Sequence, residues 1–136
     1  MAVYVVDSSA LVKRYVRESG TAWVRGLTDP AAGHTLYIAG ITGVEVVSAL
    51  TQFRHDFGRQ YQTVDLTPRL IALAMALAET HALRGYDAVQ CAVAVEIHRA
   101  RQARGMPVLT LVSADVALNT AAAAEGLQVE DPNAHP

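Results

Sequence analysis

Four carboxylates in the chain stand where the hydrophobic pattern predicts that a strand ends or a helix begins. Asp7 directly follows a short run of β-branched and aromatic residues, and Asp115 closely follows a second apolar run. Glu45 and Asp87 lie near the beginnings of two predicted helices. Because the carboxyl ends of parallel strands meet at one edge of a sheet, we expect the four side chains to face the same edge.

A cluster of this kind implies a particular chemistry. Four carboxylates at one edge repel one another, so the cluster is stable at neutral pH only if some members are protonated or a cation lies among them. Such oxygen ligands suit Mg²⁺ or Mn²⁺, which can activate water and stabilise the leaving oxygen in phosphodiester hydrolysis. Each acid taken alone also fits a structural role, because carboxylates near helix N-termini favour the helix dipole.

The elements that must position these acids alternate between strands and helices. Strands are predicted at Val3–Val6, at Thr35–Ala39 and at residues 108–112, with residues 61–66 and 127–129 as candidate edge strands. The alternation requires right-handed crossovers and a parallel sheet covered on both faces. We therefore expect a single α/β domain over residues 1–130, with three layers (α/β/α) and a central parallel sheet of four to five strands. A frayed tail is expected at residues 131–136.

Helix boundaries follow from capping residues. Thr67, which is followed by proline, marks a helix start, and Ser113 is predicted to cap the last helix. A further helix is predicted from Thr42 toward Phe57, with Gly58 as its stop signal. These residues satisfy or end the backbone hydrogen bonding of the helices between the strands.

Length, charge and hydropathy limit the class of protein. The chain has 136 residues, which favours one domain, and its formal net charge of −2 excludes a strongly basic nucleic-acid coat. No apolar stretch approaches the roughly 18 residues that a membrane-spanning helix needs. Asp7 interrupts the apolar start before a signal-peptide core could form, so we expect a cytoplasmic protein. The single cysteine, Cys91, excludes an internal disulfide and is expected to be buried.

Other catalytic patterns are absent from the sequence. Neither of the Gly-rich phosphate-binding patterns occurs, and the histidines lack the spacing of zinc ligands. Ser8 and Ser9 follow a predicted strand, but the G-x-S-x-G pattern of a nucleophilic serine does not surround them. A hydroxyl beside Asp7 is instead expected to hydrogen-bond a metal-bound water or a neighbouring carboxylate, or to cap the following helix.

Four segments of the chain resemble, in order, the four acidic motifs of PIN domains. They are VYVVDSSALVKRYV, GVEVVSAL, HALRGYDAVQCAVA and TLVSADVALNTAAAAEGL, and together they extend over nearly the whole chain. Within that family, the closest likeness is to the VapC-type toxins of toxin–antitoxin pairs. The resemblance implies a ribonuclease that depends on Mg²⁺ or Mn²⁺.

The resemblance also assigns roles to residues. The acids that match the catalytic and metal-binding positions are Asp7, Glu45, Asp87 and Asp115. Ser8 matches the hydroxyl residue that follows the first acid, and Ser113 matches the hydroxyl residue two positions before the fourth. These two serines are expected to assist the acids.

Partners follow from the same resemblance. It implies RNA as the substrate, a small antitoxin protein that neutralises the toxin, and a homodimer. The connection after the second acid is shorter than in the family, as though one short helix were missing around residues 51–61. Because that region of the family often contacts the antitoxin or the second subunit, the departure concerns partner contacts rather than the acids.

Basic residues near the motifs are candidates for contacts with RNA phosphates. Lys13 and Arg14 fall on the first predicted helix, and Arg84 lies just before Asp87. Such contacts add affinity without reading the base sequence. A solvated helix face is the alternative interpretation of the same residues.

Two other functions fit parts of the pattern. The first is a catalytically idle PIN-like module that binds RNA or protein, which the shortened middle region favours and the intact set of acids disfavours. The second is a flavodoxin-like phosphotransfer domain, which also uses acids and Mg²⁺ at strand ends. That second class expects adjacent acids early and a lysine after a late strand, whereas Asp7 has no acidic neighbour and Lys13 is the only lysine.

Overall fold

The structure is a computed structural model that describes residues 1–47, 56 and 59–136, without the side chains of residues 44–47. The helix predicted from Thr42 is observed in part, as Gly40–Val47. Its predicted continuation toward Phe57, apart from residue 56, and its stop at Gly58 lie outside the described residues. The shortened connection around residues 51–61 also falls largely outside them.

A parallel β-sheet forms the centre of the described fold. Its strands are β1 (Val3–Val6), β2 (Thr35–Ala39), β3 (Gln62–Val64), β4 (Leu109–Val112) and β5 (Gln128–Glu130). They lie in the order β3-β2-β1-β4-β5, and each neighbouring pair is parallel. The predicted parallel sheet is therefore confirmed, and both candidate edge strands belong to it.

Helices connect consecutive strands, as parallel pairing requires. The helices whose bounds fall in the described residues are α1 (Ser8–Tyr15), α2 (Thr21–Leu27), α3 (Gly40–Val47), α4 (Pro68–His81), α5 (Gly85–Ala103) and α6 (Val116–Ala124). Thr67 caps α4 as predicted, because its hydroxyl accepts a 3.1 Å hydrogen bond from the Leu70 amide. In the described part of the chain, no helix is long and apolar enough to cross a membrane.

Two apolar cores lie on opposite faces of the sheet. Val5 packs in a cluster with α4, α5 and α6, whereas its neighbour Val6 packs with α1, α2 and Tyr61. Leu111 and Val112 on β4 divide in the same way. Since successive strand residues point to opposite faces, this division shows helices on both sides of the sheet. The predicted three-layer arrangement is confirmed.

The last residues of the chain are not frayed, so that prediction is wrong. Residues Pro132–Ala134 form a 3-10 turn that begins at Asp131, whose carboxylate accepts a hydrogen bond from the Asn133 amide at 2.8 Å. Pro132 is buried, and the His135 ring stacks on Trp23 of α2 with 4.2 Å between ring centroids. Packing against α2 orders the tail, and composition alone does not reveal such a long-range contact.

Gly20 provides the close approach on which this tail packing depends. Its φ is +83°, and a Cβ at this residue would lie 2.2 Å from the Pro132 carbonyl oxygen. We expect Gly20→Ala to lower the free energy of unfolding by about 2–5 kcal/mol, because the left-handed backbone costs an L-residue roughly 1–2 kcal/mol and overpacking adds about 1–3 kcal/mol. Urea denaturation followed by circular dichroism measures the loss.

Gly105 offers the matched control for this measurement. Its φ is +64°, but a Cβ there meets nothing within 4 Å. Gly105→Ala should therefore show only the backbone cost of about 1–2 kcal/mol. Equal losses in the two variants would contradict the importance of the contact between residue 20 and Pro132.

Candidate active site

Asp7 is a buried carboxylate at the carboxyl end of β1. The residue is only 3% exposed, and its backbone amide donates a 3.0 Å hydrogen bond to the Val112 carbonyl. Asp7 is also the N-cap of α1, where Oδ2 accepts hydrogen bonds from the amide and the hydroxyl of Ser9. The carboxylate is thus held at the point where the two central strands β1 and β4 end.

Ser113 joins Asp7 to the segment that carries Asp115. Ser113 is fully buried, and its hydroxyl donates to Asp7 Oδ2 over 3.4 Å and accepts from the Asp115 amide at 3.0 Å. A second link runs through Ser9, whose hydroxyl accepts from the Ala114 amide at 2.9 Å. The structure therefore brings the ends of β1 and β4 together through two serine hydroxyls.

Asp115, rather than Ser113, caps the last helix. Its Oδ1 accepts a 2.9 Å hydrogen bond from the Leu118 amide, so the prediction that Ser113 caps α6 is wrong. The Ser113 hydroxyl is instead hydrogen-bonded to the Asp7 carboxylate and to the Asp115 amide. The Ser113 carbonyl accepts a 2.8 Å hydrogen bond from the side-chain amide nitrogen of Asn119. Asp7 and Asp115 therefore each cap a helix and lie at the same edge of the sheet.

Asp87 and Glu45 lie on two helices that are joined by a buried hydrogen bond. Asp87 is half-buried in the first turn of α5, and the backbone of Glu45 lies in α3. Gln90, on the next turn of α5, donates from Nε2 to the hydroxyl of Thr42 on α3 at 2.8 Å. The Glu45 side chain itself lies outside the described residues.

The chemistry of these groups fits a hard divalent cation, because the candidate ligands are all carboxylates. Among the residues that the structure describes, no three His, Cys, Asp or Glu side chains form a group that could hold a metal ion. The Glu45 carboxylate does not belong to those residues. The assignment of all four acids to one metal site stays a prediction.

The basic residues predicted to contact RNA have different surroundings. The Lys13 side chain is 7% exposed, and its ammonium lies 3.0 Å from a carboxylate oxygen of Glu18. Arg14 lies 3.7 Å from a carboxylate oxygen of Asp56 and donates to the Tyr61 hydroxyl at 2.6 Å. Arg84 is exposed at the residue that precedes α5. The geometry therefore favours structural ion pairs for the first two and leaves Arg84 as the exposed candidate.

The group around Arg14 is a polar network on the α1 side of the sheet. The hydroxyls of Tyr15 and Tyr61 lie 2.6 Å apart, and Tyr15 donates to Asp56 at 2.9 Å. Burial is the largest cause that raises the pKa of both tyrosines, so both hydroxyls remain protonated at neutral pH. They act as hydrogen-bonding groups that tie the end of α1 to the residue before β3.

Cys91 is buried in α5, as expected. Burial, together with the nearby Glu125 charge, raises the pKa of its thiol to about 11. The thiol therefore stays protonated at neutral pH, and thiols in that state are poor nucleophiles. Cys91 is accordingly a structural residue of the apolar core and not a candidate nucleophile.

Residue-type reasoning singled out Ser8 and overlooked several groups at the site. The hydroxyls with described contacts to Asp7 belong to Ser9 and Ser113, and the sequence did not identify Gln90 or Thr42. Gln90 did carry a signal, since it is the one polar side chain in the otherwise apolar run of residues 88–95. Buried polar residues of that kind require a partner, which the structure supplies.

A three-layer α/β domain with the sheet order β3-β2-β1-β4-β5 is the class that the fold defines. A chain of a toxin–antitoxin complex from Klebsiella pneumoniae is similar to it, with a TM-score of 0.65 and 18% identity over 97% of this chain and 98% of that chain. A chain of VapBC2 from Rickettsia felis, bound to a DNA fragment from its promoter, has a TM-score of 0.57 and 15% identity over 95% and 98%.

No protein-family model matches the chain, and no curated protein matches it in sequence. At the identities of the solved structures, the likeness establishes the fold. The resemblance to VapC-type toxins is therefore confirmed at the level of the fold, over nearly the full length of the chain.

Replacing Ser113 tests whether its hydroxyl holds the site together. We expect Ser113→Ala to lower the free energy of unfolding by about 1–3 kcal/mol, because the Asp115 amide loses its acceptor at a buried position. Ser8→Ala is the control and should stay within about 0.5 kcal/mol, as substitutions away from such features do. Chemical denaturation compares the two, and a loss at Ser8 as large as that at Ser113 would contradict this account.

Proposed function

We propose that this chain is a Mg²⁺- or Mn²⁺-dependent ribonuclease and the toxin component of a VapBC-type toxin–antitoxin pair. The observation that carries the proposal is the buried Asp7 carboxylate at the end of β1, joined through Ser113 to the segment of Asp115. The fold shared with chains of toxin–antitoxin assemblies supports the same conclusion.

The residues that would hold the metal are Asp7, Glu45, Asp87 and Asp115. When bound there, the metal supplies activation of water and stabilisation of charge on the leaving oxygen of a phosphodiester. Hydrogen bonds within the chain already orient two of these carboxylates, those of Asp7 and Asp115.

Ser9 and Ser113 hold Oδ2 of Asp7, and the Leu118 amide holds Oδ1 of Asp115. These bonds restrict the rotation of both carboxylates before any ligand arrives. Side chains that are locked in this way supply the orientation that catalytic sites require.

The proposed partners are an RNA substrate, a small antitoxin protein and a second copy of the chain. The support for an antitoxin is that the two solved structures include a toxin–antitoxin complex and VapBC2. An antitoxin gene is expected next to the gene of this chain. Light scattering of the purified chain measures whether it forms a homodimer. The same measurement with the antitoxin present shows whether the two proteins form a complex.

Asp87→Asn tests the proposed chemistry directly. The substitution preserves shape and removes one negative charge, so we expect an unchanged melting temperature and a loss of RNA cleavage of at least about 100-fold, beyond what loss of a supporting group causes. Cleavage of a mixed RNA pool with Mn²⁺ or Mg²⁺ is the measurement, and EDTA should abolish the activity of the unaltered protein.

Glu79→Gln is the matched control, because Glu79 is an exposed acid on α4. It should cleave RNA at the rate of the unaltered protein. Undiminished cleavage by Asp87→Asn would contradict the assignment. If a folded sample free of inhibitor cleaves no RNA under any condition, the chain is instead a binding module for RNA or protein.

Arg84→Ala tests the predicted contact with the RNA backbone. A lost phosphate contact should flatten the dependence of log affinity on log salt by about one unit of slope. Fluorescence anisotropy with labelled RNA measures it, with the Asp87→Asn substitution present so that the RNA stays intact. Arg17→Ala, another exposed arginine, serves as the control, and an unchanged slope for Arg84→Ala would show that Arg84 makes no such contact.

A further inference from the structure

A buried hydrogen bond connects α3 with α5. The amide nitrogen of Gln90 donates to the hydroxyl of Thr42 at 2.8 Å. Gln90 is 1% exposed and Thr42 is fully buried, so solvent does not compete for either group. A hydrogen bond in such surroundings fixes the separation of the two helices at this level.

The two proposed metal ligands on these helices stand one turn away from the bond. Asp87 comes three residues before Gln90 in α5, and Glu45 comes three residues after Thr42 in α3. Residues three apart on a helix share a face and are neighbours along it. The bond therefore joins the turn of α5 that follows Asp87 to the turn of α3 that precedes Glu45.

Gln90 is a costly residue for a purely structural role. Its neighbours Ala88, Cys91 and Ala92 are buried and apolar. Its amide oxygen is buried and has no hydrogen-bond partner among the described residues. An apolar side chain of similar length would fill the space without this penalty, and buried polar groups left partly unsatisfied occur at functional sites.

We propose that Gln90 and Thr42 are positioning residues that set the separation of Asp87 and Glu45 for metal binding. The inference rests on the proposed function, because the two acids matter only if they bind the metal. Groups that support metal ligands without touching the metal change its affinity by about 10-fold to 100-fold when they are lost. The bond between Gln90 and Thr42 is such a support.

The test measures Mn²⁺ binding without RNA, by electron paramagnetic resonance of the free ion. Gln90→Met and Thr42→Val keep the side-chain volumes and remove the bond, and each should weaken Mn²⁺ affinity by about 10-fold or more. The double variant should be no weaker than either single one, because both changes remove the same interaction. Thr42→Ser keeps the hydroxyl and should bind Mn²⁺ as the unaltered protein does.

Val93→Ala controls for lost stability. Val93 is fully buried in α5 and belongs to the apolar core, so its truncation should lower the melting temperature and leave Mn²⁺ affinity unchanged. If Gln90→Met does not fold, Thr42→Val removes the same bond from the α3 side.

The outcomes separate this inference from the proposed function. Weakened binding in the two bond-breaking variants, with normal binding in Thr42→Ser and Val93→Ala, supports it. Unaltered Mn²⁺ affinity in folded Gln90→Met and Thr42→Val would overturn the positioning role while the metal site stands. Failure of the unaltered protein to bind Mn²⁺ would overturn the metal-dependent function and this inference with it.

Discussion

The burial of the Asp7 carboxylate at the end of β1 is the constraint on which the rest of the site depends. A carboxylate that is 3% exposed must be hydrogen-bonded, because water cannot solvate it. Ser9 supplies part of that hydrogen bonding from the adjacent helix, and Ser113 supplies part from the end of β4. The buried Asp7 side chain at the end of the central strand therefore joins the start of α1 to the end of β4.

Helix capping and the proposed metal binding use the same carboxylates at this edge. Asp7 caps α1 and Asp115 caps α6, so each acid stabilises the helix that follows its strand. Helix N-termini favour a negative charge and also hold it in a fixed direction. The capping bonds also restrict the rotation of both carboxylates, so the structural role of these acids is compatible with the proposed metal binding.

Contacts between residues far apart in the sequence explain why the capping residue of α6 and the order of the C-terminal tail were predicted wrongly. Ser113 is free to approach Asp7 because Asp115 takes over the capping of α6. Lys13 differs from these cases, because its partner Glu18 is only five residues away in the chain and is 44% exposed, and its contact with phosphate stays a prediction. The tail is ordered because Pro132 fits against a glycine, and nothing in the composition of the tail announces that contact.

By itself, the sequence determined the alternation of strands and helices, the three-layer fold and the placement of acids at the ends of elements. Hydrophobic periodicity and helix capping act between residues that are neighbours in the chain, so a local pattern records them. Only the tertiary structure decided which polar groups meet. Ser113 lies 106 residues after Asp7, and Gln90 lies 48 residues after Thr42. Contacts over such separations arise from the packing of whole elements, and no local pattern encodes them.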